Sequence, residues 1–205
     1  MRDKKKQVGF LGGTFDPIHI GHLQLAFEAK ECFSLDEVLF CPTFTSPFKI
    51  HETPAASACH RLKMVSIAIK EIEGFALLEY EISKESVAYT IDTIKFLKKK
   101  APETEYSLIL GEDHLSGFFK WKEPEELLRL ASLKIASREG FLKKNFLEIP
   151  QKYHALLEEG FFKIHNLEIS STYLRERLSC KNYSKHLIPP KVVDYIHQHQ
   201  LYLTS

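Results

Sequence analysis

Short apolar runs alternate with stretches of helical periodicity along nearly the whole 205-residue chain, and this alternation limits the fold more than any other feature. Gln7–Leu11, Glu37–Cys41, Phe75–Tyr80, Tyr106–Gly111, Leu133–Ser137 and Phe161–His165 read as strands. Ile20–Cys32 reads as a helix with Leu23, Ala26, Phe27 and Lys30 near one face, and Ser57–Glu71 as another with Leu62, Val65, Ile69 and Ile72 together. Tyr89–Lys100 and Glu125–Ala131 follow, and two helices close the chain, Ser171–Leu178 and Pro190–His199. Strands that alternate with helices pair in parallel. The expectation is an α/β, doubly wound parallel sheet with helices on both faces and a small C-terminal helical part. No repeat or linker divides the chain, so residues 1–205 read as a single domain.

Composition removes several function classes. Net charge is +1, which gives no bulk attraction to nucleic acid or an anionic membrane, so any anion site must be built locally. No segment approaches the ~18 apolar residues of a spanning helix. Cys32, Cys41, Cys59 and Cys180 show neither CxxC pairing nor zinc-like spacing. They read as buried thiols of a cytoplasmic protein.

In parallel sheets of this kind, ligands bind beyond the carboxyl ends of the strands where the order reverses. The first strand runs into "GGTFDPIHIGH", Gly12 to His22. Glycines there allow a sharp turn and a close approach of phosphate to the main chain. The stretch is neither GxGxxG nor GxxxxGK[ST]. Asp16-Pro17 reads as a turn or a helix start, and if a helix begins near here, His19 and His22 stand three apart on one face near an N-terminus that favours anions. Gly21 between them would keep a side chain out of a ligand's way. Two histidines without a nearby carboxylate or thiolate make a poor metal site, so no protein metal site is expected. By themselves the pair also fits simple packing; the preceding glycine turn at a strand end tips the reading to phosphate. Later, Ser170-Ser171-Thr172 read alone as helix capping and Arg175 as a solvated helix charge.

Together, "GGTFDPIHIGH" and "ISSTYLRERL" (Ile169–Leu178) resemble the HxGH and ISSTxxR signatures of the nucleotidyltransferase superfamily, in its adenylyltransferase branch. "PTFTSPFK" (Pro42–Lys49), "RLKMVSIAI" (Arg61–Ile69), "AYTIDTI" (Ala88–Ile94) and "LILGEDHL" (Leu108–Leu115) are similar to the bacterial nicotinate-mononucleotide adenylyltransferases. So are "FKWKEPEELL" (Phe119–Leu128), "IASREG" (Ile135–Gly140) and the ending "LIPPKVVDYIHQHQLY" (Leu187–Tyr202). The resemblance runs from Val8 to Tyr202 and implies a Rossmann-like nucleotidyltransferase domain that moves AMP from ATP to nicotinate mononucleotide.

By that resemblance, His19, His22, Lys49 and Arg175 are the catalytic set, neutralising the triphosphate and the departing pyrophosphate. Gly12, Gly13, Thr14, Phe15, Gly21, Ile169, Ser170, Ser171, Thr172 and Arg138 would bind ATP. Tyr89 and Thr90 would lie near the pyridine carboxylate, Trp121 would stack on the ring, and Asp113 after Gly111 would accept from a ribose hydroxyl. Arg61 is a weaker candidate that fits local pairing. Mg2+ should accompany ATP, held by phosphate oxygens and water. The acceptor phosphate, with a second pKa of about 6, needs no general base. Phe48, Lys122 and the Glu81–Thr90 stretch depart from the family's usual residues around the mononucleotide half. Nicotinamide mononucleotide, or both mononucleotides, therefore remains an alternative acceptor. A nucleotide-binding regulator without turnover ranks below these, and an RNA-binding module last, because a basic-aromatic stripe is missing.

Overall fold

The computed structural model describes residues 4–47, 53–137, 149–165 and 169–203. Strands β1 (Gln7–Gly13), β2 (Glu37–Pro42), β3 (Phe75–Leu77), β4 (Glu105–Gly111), β5 (Ala131–Ser137) and β6 (Phe161–Lys163) form a parallel sheet. Their order is β3-β2-β1-β4-β5-β6, so the winding reverses at β1, as a doubly wound Rossmann-like sheet requires. Phe10 stands opposite Leu108, Leu108 opposite Leu133, and Ile135 opposite Phe161. The helices are α1 (Ile20–Cys32), α2 (Ala58–Ile69), α3 (Tyr80–Ser83), α4 (Thr90–Lys100), α5 (Leu115–Phe118), α6 (Pro124–Leu130), α7 (His154–Glu158), α8 (Ser171–Ser179) and α9 (Pro190–Gln198).

The chain forms two compact units. One comprises Met1–Leu11, Leu25–Leu39 and Tyr89–Asn166. Its core gathers Val8, Phe10, Leu108, Leu110, Leu133 and Ile135 from the strands. Helix α4 buries Ile91, Ile94 and Leu97 on one stripe and ends on Lys98, Lys99 and Lys100, which suit the negative end of its dipole.

The other unit comprises Gly12–Gln24, Phe40–Ala88 and Leu167–Ser205. Ser57 caps α2, its hydroxyl accepting the His60 N–H at 3.4 Å. The buried stripe of α2 is Arg61, Met64, Val65 and Ile69. It is therefore turned from the expected face: Leu62 is half-buried and a charged residue points inward. Helix α9 starts on Pro190 and buries Val192, Val193 and Ile196.

Three further expectations are corrected. Strand β3 stops at Leu77, and α3 follows, because Glu81 turns inward to accept the Thr43 hydroxyl at 2.7 Å instead of continuing a ladder. Helix α1 buries the small residues Ala26 and Ala29, which leaves Phe27 39% exposed. Of the four unpaired cysteines only Cys41 is buried; Cys32, Cys59 and Cys180 are exposed.

Candidate active site

Strand β1 continues through Gly12 and Gly13, and the turn comes later, at Phe15. The φ of Phe15 is 50°, left-handed backbone that a bulky residue rarely adopts. Its ring is 2% exposed and lies edge-on to His22 and against Phe40, at centroid distances of 5.0 and 6.0 Å, so burial offsets the strain. Gly12 stays exposed, while the Gly13 carbonyl accepts the Thr43 N–H at 2.9 Å. The Asp16–Pro17 peptide is cis.

Helix α1 begins only at Ile20, so of the two readings Asp16-Pro17 is a turn and not a helix start, and His19 does not share a helical face with His22. His19 instead occupies the capping place, its carbonyl accepting the N–H groups of His22 and Leu23 at 3.0 and 3.3 Å. The expected partnership arises by another route. The two imidazoles stack at 3.7 Å between centroids, and the His19 N–H donates to His22 Nδ1 at 3.2 Å. That bond leaves the proton of a neutral His22 ring on Nε2.

Both rings are held neutral. Burial lowers the pKa of His19 to about 4, and its buried Nδ1 has no hydrogen-bond partner. His22, enclosed between Phe15 and His19, is pushed well below the ordinary value by burial and then by the neighbouring His19. A Cβ on Gly21 would come within 3.1 Å of His19 Cε1 and Nδ1. Gly21 thus makes room for the His19 ring, not directly for a ligand.

The later motif reaches back to this turn. Ser170 does cap α8, its Oγ accepting the Tyr173 N–H at 3.2 Å. Ser171 Oγ, however, donates to the Pro17 carbonyl at 3.0 Å. Arg175 Nη1 donates to the Asp16 carbonyl at 2.9 Å, and Nη2 to Thr172 Oγ1 at 3.3 Å. Ile169 is half-buried just before this helix. Side chains of the later motif thus bond to the main chain of the first, across 154 positions at Ser171 and Pro17.

Two residues that sequence reasoning left out of the site, Asp16 and Tyr202, and one that it ranked as a weaker candidate, Arg61, hold the same turn. Arg61 is 1% exposed and its Nη1 donates to the Thr14 and Thr43 carbonyls at 2.6 and 2.7 Å. Its Nη2 donates to the Phe44 carbonyl at 3.1 Å and its Nε to the Ala56 carbonyl at 3.3 Å. Burial lowers its pKa, an effect that the charge of Asp16 opposes. Asp16 is 4% exposed; its carboxylate accepts the Ala55 and Ala56 N–H groups at 2.7 and 3.1 Å and the Tyr202 hydroxyl at 2.7 Å. The spacing of Arg61 with Met64 and Val65 was a usable signal for its inward position. Tyr202 carried none.

The remaining candidates belong to the other unit. Tyr89 precedes α4 and Thr90 opens it, both half-buried. Lys122 Nζ sits 4.7 Å from the Tyr89 ring centroid and pairs with Asp92 at 3.2 Å. Trp121 is half-buried with its ring 5.3 Å from that of Phe118, so it is not a core residue. Asp113 is exposed, and a Cβ on Gly111 would meet its Oδ1 at 2.5 Å. Lys49, Phe48 and Arg138 lie outside the described residues. Among the described residues no group of three or more His, Cys, Asp or Glu could hold a metal ion.

Comparison with known proteins follows this geometry. A family model described as cytidylyltransferase-like matches residues 10–177. The chain is 37% identical over 201 residues to a probable nicotinate-nucleotide adenylyltransferase of Clostridium botulinum (strain Alaska E43 / Type E3), covering 96% of this chain and 98% of the relative. It is 41% identical over 165 residues to a protein of the same name from Aquifex aeolicus (strain VF5), covering 78% and 96%. Its fold is similar to that of the Plasmodium falciparum nicotinic acid mononucleotide adenylyltransferase complexed with NaAD, with a TM-score of 0.75, 22% identity and coverage of 96% and 97%.

Proposed function

The chain belongs to the cytidylyltransferase-like family and, within it, to the nicotinate-nucleotide adenylyltransferases, and on that premise we propose how its residues divide the two substrates. The reaction transfers AMP from ATP to nicotinate mononucleotide, giving nicotinate adenine dinucleotide and pyrophosphate. ATP falls to Gly12, Gly13, Thr14, Phe15, His19, Gly21, His22, Ile169, Ser170, Ser171, Thr172 and Arg175, with Lys49 and Arg138 as further cations. The mononucleotide falls to Tyr89, Thr90, Gly111, Asp113 and Trp121. The observation that carries the ATP assignment is the bonding of Ser171 and Arg175 to the turn that bears His19 and His22.

In the transfer, a phosphate oxygen of the mononucleotide bonds to the α-phosphorus, the bond to the bridging oxygen breaks, and pyrophosphate leaves with the electron pair. The attacking group is already anionic at neutral pH, so no base is needed. The barrier lies in charge: one like-charge pair ~4 Å apart costs about 4 kcal/mol at an effective dielectric of 20. His22 Nε2–H, the main chain at Gly12 and the Arg175 guanidinium answer that charge by fixed donors and position. The orphaned Nδ1 of His19 gains its partner when a phosphate oxygen arrives.

Mg2+ enters as the companion of ATP. Both carboxylate oxygens of Asp16 already carry donors, so phosphate oxygens with water would hold the ion. The family model spans residues of both units, which supports reading 1–205 as one nucleotidyltransferase domain. Three exposed, unpaired thiols suit the cytoplasm. No helix among the described residues is long and apolar enough to cross a membrane.

Of the two acceptors, the acid is the one that the names of the relatives support. Pyrophosphate release with ATP and each mononucleotide tests this. A higher kcat/KM for nicotinate mononucleotide is expected. Equal or reversed values overturn acid preference, and no release with either overturns the enzyme reading.

A further inference from the structure

Residues that touch no substrate in the reading above still decide whether Arg175 is available to it. The Asp16 carboxylate is a buried anion at a site meant for a polyanion. Its main-chain carbonyl already takes Arg175 Nη1 at 2.9 Å, so the guanidinium lies beside the residue whose carboxylate is able to capture it. The Ala55 and Ala56 N–H groups satisfy part of that carboxylate, and the Tyr202 hydroxyl completes it at 2.7 Å, passing 3.9 Å from Met64 Sδ. Burial raises the pKa of the phenol and Asp16 raises it further, whereas Arg175 and Arg61 lower it. The phenol therefore stands within reach of one anion and two cations, and it is the neutral group among them.

We propose that Tyr202 is a positioning residue that screens the Asp16 carboxylate, so that the Arg175 guanidinium stays directed at the ATP triphosphate. Without the hydroxyl, Asp16 has an unfilled acceptor and a bare charge next to Arg175. The guanidinium then turns to a bidentate contact with the carboxylate, a geometry it readily adopts. ATP must compete with that contact, while the mononucleotide does not meet it. This rests on the assignment of Arg175 to ATP made above.

Tyr202→Phe keeps the ring and removes only the hydroxyl. Steady-state kinetics with both substrates, in the wild-type and Arg175→Ala backgrounds, separate screening from general support. The expected result is an ATP KM raised about tenfold, the scale of one altered charge-assisted hydrogen bond. The mononucleotide KM stays within about twofold, below that scale. In the Arg175→Ala background the same substitution adds no further rise in ATP KM. An equal factor in both backgrounds, or an equal rise for both substrates, overturns the screening role, because Tyr202 then only supports the fold. An unchanged ATP KM in Tyr202→Phe overturns it too, provided Arg175→Ala raises that constant. If Arg175→Ala itself leaves the ATP KM unchanged, the assignment of Arg175 to ATP fails, and the screening role falls with it. Thermal unfolding of the Tyr202→Phe protein, expected within a few degrees of wild type, shows that the kinetic change is not a loss of folded material.

Discussion

His19 and His22 stack ring on ring at 3.7 Å, linked by a hydrogen bond from the His19 main-chain N–H to His22 Nδ1, and this arrangement fixes both as neutral imidazoles. Two stacked imidazolium rings would repel, and burial already disfavours either charge. The pair is thus uncharged, and a phosphate placed beside it would raise its proton affinity.

The first prediction is a pH effect on stability. The unfolded chain binds the His19 proton at the ordinary 6.5, the folded chain only at about 4. Unfolding therefore takes up a proton in that interval, and stability falls as pH drops from about 6.5 towards about 4. The full effect of His19 is on the order of 3 kcal/mol, and His22 acts in the same direction. Thermal unfolding of wild type and His19→Gln across this range should give a shallower slope for the variant. Parallel slopes would show that His19 does not contribute to the acid limb.

Proton uptake on binding ATP is the second. A triphosphate near the pair raises the pKa of both rings, so at pH 6 to 7 the complex should hold more protons than the free protein. Calorimetric titration with ATP in buffers of different ionisation enthalpy should show heats that depend on the buffer. Heats independent of buffer would mean the rings stay neutral throughout.

For turnover itself, His22→Ala should lower kcat by about two to three orders of magnitude, the scale of removing one charge-stabilising donor. Far-ultraviolet circular dichroism should be unchanged, because the His22 main chain keeps its bond to the His19 carbonyl. Near-normal kcat would remove His22 from the reaction.

Gly21→Ala should separate stability from activity. Alanine favours helix α1 by roughly 0.5–1 kcal/mol, yet its Cβ lies 3.1 Å from the His19 ring and must push it by a few tenths of an ångström. The unfolding midpoint should stay close to wild type while kcat falls about tenfold or more, as a displaced catalytic group costs. Unchanged kcat would show that the ring position tolerates the shift.

What could be read in the sequence was local or periodic. The strand–turn–helix at Gly12 to His22 and the capped helix at Ser170 declare themselves through neighbours in sequence, and both stand where expected. The left-handed turn was assigned to the glycines, and it lies at Phe15, because the buried ring and not backbone freedom decides it. Strand β3 looked longer because Leu78 and Tyr80 extend the apolar run, and the inward turn of Glu81 depends on Thr43, far off in sequence. Single helical turns such as Leu115–Phe118 are too short to leave a period. Asp16, Arg61 and Tyr202 act through partners that no window contains.

Arg61 gives the last prediction. Its guanidinium fills four main-chain carbonyls, those of Thr14, Thr43, Phe44 and Ala56, and so ties the phosphate turn to the segment after β2 and to the start of α2. Arg61→Ala leaves buried acceptors unmet and takes away the cation facing Asp16, so a loss of about 3–5 kcal/mol is expected in denaturant unfolding. Arg61→Lys should recover less than half of it. An ammonium carries the charge and three donors, and it cannot reproduce the planar fork that reaches Thr14 and Thr43 from one nitrogen and Phe44 from the other. Full recovery by lysine would reduce the role of Arg61 to its charge and leave the geometry of the phosphate turn to Asp16 and Arg175.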